Sequence, residues 1–186
     1  MEIVTPRRSR LFRLLTAVCI AAVVCDCESG ANESQTVPSP GLPNDASIEF
    51  VRDGCFGTCP VFAVTVRADG TLRWVGRHFV AAIGERQGVL QPSDVFRLFT
   101  LLDDARFDNW FVGAPSKQFA QRVEASGVVN VVLERELDGP TNHLTVTQSG
   151  ISRRLTYSWQ RARLIPVETA LLNLGEVPLW IGERRR

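Results

Sequence analysis

Val61-Phe62-Ala63-Val64-Thr65-Val66-Arg67-Ala68-Asp69-Gly70-Thr71-Leu72-Arg73-Trp74-Val75-Gly76 decides the fold class. Residues 61–68 are dense in β-branched and aromatic side chains, Asp69-Gly70 is a two-residue hairpin signal, and residues 71–76 return as a second strand. Before this hairpin, residues 47–52 alternate Ile48, Phe50 and Arg52 against Glu49 and Val51, a short strand that stops at Asp53-Gly54. After it, residues 77–90 are less regular and broken by Gly84 and Gly88.

Pro92 suits the first position of a helix, where its missing N–H costs nothing, and residues 93–105 place Val95, Leu98, Phe99 and Leu102 on one stripe. Phe107 and Trp110 are expected to fold over its end, and residues 111–126 to form a surface connection. Residues 128–137, 144–148 and 151–157 read as strands, the last two joined at Ser149-Gly150. A final helix starts at Pro166, with Val167, Ala170, Leu171 and Leu174 on one face and Gly175 as its terminator. Strands, helix, strands, helix argue an α+β domain: an antiparallel sheet of five or six strands with two packed helices.

The chain ahead of this domain reads differently. Arg7, Arg8, Arg10 and Arg13 precede the apolar run from Leu14 to Val24, so residues 1–25 are expected to be an export signal. At 11 residues the run is shorter than the roughly 20 that a membrane-spanning helix needs. Ala22-Val23-Val24-Cys25 resembles a lipoprotein cleavage box with a bulky Val24, and Ser29-Gly30-Ala31 offers an ordinary cut instead. Lipidation at Cys25 is the expectation, and cleavage after Ala31 the alternative. Residues 26–45 are polar and carry Pro38, Pro40 and Pro43, a disordered tether by composition, which leaves residues 46–186 as a single domain. Such a chain is extracytoplasmic, lipid-anchored or secreted in a bacterial cell envelope, and expected to be monomeric.

Residues 26–186 hold 17 basic and 19 acidic side chains, a net of −2. No basic field for nucleic acid exists, and Arg184-Arg185-Arg186 reads as a solvated tail. The sequence has no nucleophile elbow, zinc-protease helix, phosphate loop or dinucleotide fingerprint. Adjacent Asp103 and Asp104 point about 100° apart on a helix, so they are not a working carboxylate pair. Trp74, Trp110, Trp159 and Trp180 each adjoin apolar positions, which argues packing over a sugar platform.

The chemistry-bearing stretch is Cys55-Phe56-Gly57-Thr58-Cys59-Pro60-Val61-Phe62. A disulfide between Cys55 and Cys59 is the favoured reading: Gly57 supplies the conformational freedom of a tight loop, Pro60 holds Cys59 toward an extended geometry, and an oxidising envelope keeps the bond. A redox pair would need a thiol activated by a helix N-terminus or nearby cations, and only Arg52 lies close in sequence, offset by Asp53. A zinc site would join Cys55 and Cys59 to His78 and His143, at an irregular spacing. No metal or cofactor is expected.

The same stretch resembles the C-[FY]-G-x-C-P-x-[YF] signature of an uncharacterised bacterial domain family found in exported proteins and lipoproteins. The similarity extends through Asp69-Gly70-Thr71, Gly76, Pro92 and Phe107, and more loosely through residues 142–157. The family usually ends its motif in Tyr where this chain has Phe62, so no role for a phenol carries over. The resemblance implies a compact envelope domain and supplies no activity. A non-enzymatic module that binds a protein or cell-wall component is the first expectation, and a thiol-dependent enzyme or redox protein centred on Cys55 and Cys59 the second, with His78 or His143 as its base.

Overall fold

The computed structural model describes residues 41–112, 119–133, 138–158 and 161–182. The expected export signal, Cys25, Trp159 and residues 183–186 lie outside them. Eight strands form one sheet: β1 (Ser47–Arg52), β2 (Val61–Arg67), β3 (Thr71–His78), β4 (Gly84–Val89), β5 (Phe119–Val123), β6 (Val129–Leu133), β7 (Thr141–Gln148) and β8 (Ile151–Ser158). Their spatial order is β4-β3-β2-β1-β7-β8-β6-β5. The helices are α1 (Pro92–Asp104), α2 (Ile165–Leu172) and the short α3 (Val177–Ile181), with a 3₁₀ turn at Phe107–Phe111.

The alternation of the strands fixes which face is covered. Phe50 of β1 stands opposite Val64 of β2 and Leu144 of β7, Val64 opposite Trp74, and Leu144 opposite Leu155. That row is buried and forms the centre of the core with Val95, Leu98, Phe99 and Leu102 of α1, Val167 and Leu171 of α2, and Val177 and Trp180 of α3. All three helices therefore cover one face, and among the described residues no helix covers the other, the open face.

The sheet corrects the sequence expectation of five or six antiparallel strands. Two strands were missed, and both are edges. β4, Gly-Glu-Arg-Gln-Gly-Val, is almost wholly exposed, and Gln121, Arg122 and Val123 of β5 are exposed too. An edge strand held by backbone pairing to a single neighbour buries few side chains, so it carries no alternation to read. The sheet is also mixed, because β6 pairs parallel to β8. After β6 the chain skips one position, forms β7 beside β1, and returns as β8 into the gap. Nothing local to either strand encodes that choice.

The turns are local, and their chemistry is visible. At the β7–β8 hairpin, Ser149 and Gly150 both have positive φ, 50° and 76°, the two-residue geometry that matches strand twist. The β2–β3 turn is a residue longer than its Asp-Gly signal implies: Ala68 leaves the strand, Gly70 sits at φ 84°, and its N–H donates to the Arg67 carbonyl at 3.0 Å. Asp69 Oδ1 accepts from the Thr71 N–H. At the start of the domain, Leu42 packs against the core and Asp45 accepts from the N–H groups of Ser149 and Gly150.

Gly76 ends the covered face of β3 beneath the β3–β4 loop. Trp74 Nε1 donates to the Ala82 carbonyl at 2.9 Å across it, and a Cβ at position 76 would overlap that carbonyl oxygen. Gly76→Ala is expected to destabilise the domain by about 3 kcal/mol. A denaturant midpoint indistinguishable from wild type would show that the loop yields at no cost.

Candidate functional site

β1 ends in two charged residues, and the pleat sends them to opposite faces. Arg52 follows Ile48 and Phe50 onto the helix-covered side, opposite Phe62 of β2 and Asn142 of β7. Asp53 extends the ladder by one bond, its N–H donating to the Thr141 carbonyl at 2.9 Å, and its side chain meets the open face. The loop 54–60 springs from this point.

On the covered face Arg52 is boxed in. Its guanidinium carbon lies 5.5 Å from the Phe50 ring centroid and 5.7 Å from that of Phe62, and Phe62 stacks on Trp74 at 4.8 Å. Arg52 Nε donates to Asn142 Oδ1 at 3.2 Å, and Nη2 stands 3.7 Å from Glu168 Oε2. Glu168, with no exposed surface, accepts from the Tyr157 hydroxyl through Oε1 at 2.8 Å, and among the described residues its Oε2 has no hydrogen-bond partner. Phe62 thus ends the cysteine motif as a packing residue between a cation and an indole.

On the open face a second chain of polar groups crosses three strands. Asp53 Oδ2 meets His143 Nε2 at 3.0 Å, and His143 Nδ1 meets Thr156 Oγ1 at 3.0 Å. Thr156 Oγ1 donates to Asn130 Oδ1, and Asn130 Nδ2 donates to Glu124, which also accepts from Arg154. The aspartate–histidine–threonine order has the outline of a nucleophile relay. It does not work as one here, because the single hydroxyl proton of Thr156 is committed to Asn130 and the residue is buried.

Between these networks sits the cysteine loop. Cys55 and Cys59 are bonded through their sulfurs, with Cα atoms 5.7 Å apart. Gly57 donates its N–H to the Cys55 carbonyl at 2.9 Å and takes φ 149°, a region open to glycine and strained for other residues. Phe56 projects from the loop with 94% of its surface exposed. Pro60 leads directly into β2, so the motif itself opens a strand and not a helix.

The four residues weighed as zinc ligands do not converge. The sulfurs are bonded to each other, and both ring nitrogens of His143 are engaged. His78 lies on β3, three strand positions from His143 on β7, about 14 Å at the usual strand spacing. Among the described residues no group of three or more His, Cys, Asp or Glu side chains is placed to hold a metal ion. Of the tryptophans, Trp74 and Trp180 pack in the core with centroids 6.0 Å apart. Sequence reasoning missed the cluster of Arg52, Asn142, Tyr157 and Glu168. Its signals were an arginine in phase with Ile48 and Phe50, and Glu168 in phase with Leu164 and Leu171.

Burial pushes the Glu168 carboxyl above its ordinary value of 4.5, while the Tyr157 hydrogen bond and the Arg52 charge pull it down without cancelling the shift. Burial, and next the Glu168 charge, push the Tyr157 phenol well above 10.0. A carboxyl that titrates higher in the folded chain holds its proton longer there, so stability is fullest below about 4.5 and declines as pH rises through the folded value. Glu168→Gln keeps an acceptor for Tyr157 and removes this titration, so its stability should gain on wild type as pH rises from 4.5. Parallel pH curves would refute the assignment. Arg52→Ala strands the carboxylate and is expected to cost about 3 kcal/mol or more.

No curated protein matches the chain. A family model described as a domain of unknown function, DUF6438, matches residues 46–174, from the residue before β1 to just beyond α2, well over half of the sequence. The chain belongs to the DUF6438 family.

Proposed function

We propose that the domain is a non-catalytic binding module of the bacterial cell envelope, with the loop closed by Cys55 and Cys59 as its contact element. The observation that carries this reading is Phe56, almost fully exposed at the tip of a seven-residue loop whose two cysteines are covalently joined. Exposing an aromatic ring forgoes roughly 2 kcal/mol of burial, and cross-linking the loop removes the ordering cost that a partner would otherwise meet. The roots of the loop are held on both faces of the sheet by Arg52 and Asp53, so the tip is presented by a rigid base.

The envelope assignment rests on the arginine-led apolar run before Cys25 and on a disulfide that an oxidising compartment preserves. Among the described residues no helix is long and apolar enough to cross a membrane. Attachment is proposed to come from a lipid on Cys25. Cys25→Ser should then abolish lipid labelling and release the protein from the membrane fraction, whereas a mature N-terminus at Asn32 would establish the ordinary cut.

The contact role is tested by placing photo-reactive p-benzoyl-phenylalanine at position 56 in cells and, as a control, at exposed Arg97 on α1. Adducts are expected at position 56 and not at 97. Joint replacement of Cys55 and Cys59 by Ala should lower the adduct yield while costing about 2 kcal/mol of stability, the value for so short a closed loop. Equal labelling at both positions, or none at 56, would remove the reading.

A further inference from the structure

β4 closes one end of the sheet, and among the described residues no strand pairs with its outer side. The Leu90 N–H donates to the Gly70 carbonyl at 2.8 Å, which fixes the phase of the strand. By the alternation of an antiparallel ladder, Gly84, Arg86 and Gly88 then turn their backbone groups inward to β3, and Glu85, Gln87 and Val89 turn theirs outward. Two of the devices that blunt an edge are missing. The register with β3 runs from Gly76 and Gly84 to Thr71 and Val89 without a bulge, and no proline interrupts it. Charge, the third device, is present but already partnered within the chain: Glu85 accepts from Arg73 at 2.8 Å, and Arg86 Nη1 donates to the Glu85 carbonyl at 2.7 Å.

The side chains of β4 fit a second β4 in one register. In an antiparallel two-fold pair, outward residues must meet outward residues, so the axis passes through a residue and not between two. Two such registers engage most of the strand: one centred on Arg86, pairing residues 84–88, and one centred on Gln87, pairing residues 85–89. The first sets Arg86 directly against its own copy, a like-charge pair at the position where side chains stand closest. The second sets Arg86 opposite Gly88, which has no side chain, Glu85 opposite Val89, and Gln87 opposite its own copy, where each amide can both donate and accept. Gly88 also lies beside Trp180, since a Cβ built there would stand 3.6 Å from the indole ring. An arginine entering that gap from a second copy meets an aromatic face or edge as well as bare backbone.

We propose that the domain forms a two-fold dimer by antiparallel pairing of β4 with β4 of a second copy, with the axis at Gln87 and perpendicular to the sheet. The two eight-stranded sheets become one, and both helix layers stay on the same side. Val89, 67% exposed in the single chain, is covered by the incoming strand. The monomer expected from the sequence followed from a reading in which β4 was missed and offered no free edge. The pairing goes beyond the contact role of the cysteine loop, which lies on another element and neither requires nor excludes it.

The test uses residues 35–186, a compact unit whose core lies wholly within it and whose cysteines, Cys55 and Cys59, are bonded to each other. A single strand pairing buries less than the standard interface of about 1,600 Å², so sedimentation equilibrium should show half-association near about 100 µM. Gln87→Pro removes an outward N–H that β3 does not use and is expected to weaken association about tenfold. Gly88→Arg would face Arg86 of the second copy and should weaken association, whereas Gly88→Glu should strengthen it, most clearly at low salt. The space at Gly88 admits a side chain at ordinary contact distance, so this pair of variants carries the test even where the proline variant fails to fold. On mild oxidation Gln87→Cys should link two chains through a disulfide. Glu85→Cys should not, because its two copies lie about 13 Å apart along the paired strands. A wild-type chain still monomeric at about ten times the expected concentration would overturn the proposal. So would Gly88→Arg and Gly88→Glu proteins that associate alike, a folded Gln87→Pro protein that associates like wild type, or cross-linking of Glu85→Cys in preference to Gln87→Cys.

Discussion

Arg52 is a guanidinium placed where β1 would otherwise supply a third apolar side chain, and much of the structure is arranged around that placement. A charge taken out of water costs several kcal/mol unless its field and its donors are met. Here they are met by four elements: the rings of Phe50 and Phe62, the amide of Asn142 on β7, and the carboxylate of Glu168 on α2, itself held by Tyr157 of β8. The pairing of arginine and carboxylate adds a directional contact to the apolar packing of α2 and places Glu168 over the end of β1. The helix is thereby tied to the strand that launches the cysteine loop.

The opposite face of the same strand end obeys a different rule. Asp53 is partly solvated, and its link to His143 costs little desolvation and gains correspondingly little. Its value is positional. Glu124 accepts only, which orients the Asn130 amide, which in turn takes the proton of Thr156. Each group's direction is set by the next, and the order of the chain keeps the threonine from serving as a nucleophile. A similar trio of residues reads as catalytic in a list and as structural once the protons are followed.

How far the sequence revealed this follows from how locally each feature is encoded. The β2–β3 and β7–β8 hairpins and the two proline-started helices were legible, because turn residues and buried periodicity lie within a few positions of one another. β4 and β5 were not, since a strand paired on one side and exposed on its faces has no hydrophobic period. The parallel pairing of β6 with β8 depends on where a distant hairpin inserts. In the candidate site, Cys55 and Cys59 announced themselves by spacing. Arg52 was visible in phase with Ile48 and Phe50, but its partners Asn142, Tyr157 and Glu168 come from residues about 90 to 116 positions later in the chain, and only the fold brings them to it.

The two networks and the disulfide act on one short segment, and their combined effect is stiffness. Arg52 and Asp53 fix the entry to the loop from both sides of the sheet, Phe62 fixes its exit by stacking on Trp74, and the cystine closes the span between. Within this frame Phe56, Gly57 and Thr58 at the tip are exposed, and the bulkiest of them is an aromatic. A fold that needed the loop only as a connection between adjacent antiparallel strands could use a two-residue turn, as the β7–β8 hairpin does. The longer, clamped loop with its apolar tip in water therefore argues for contact with something outside the domain, and for a contact in which little order remains to be gained on binding.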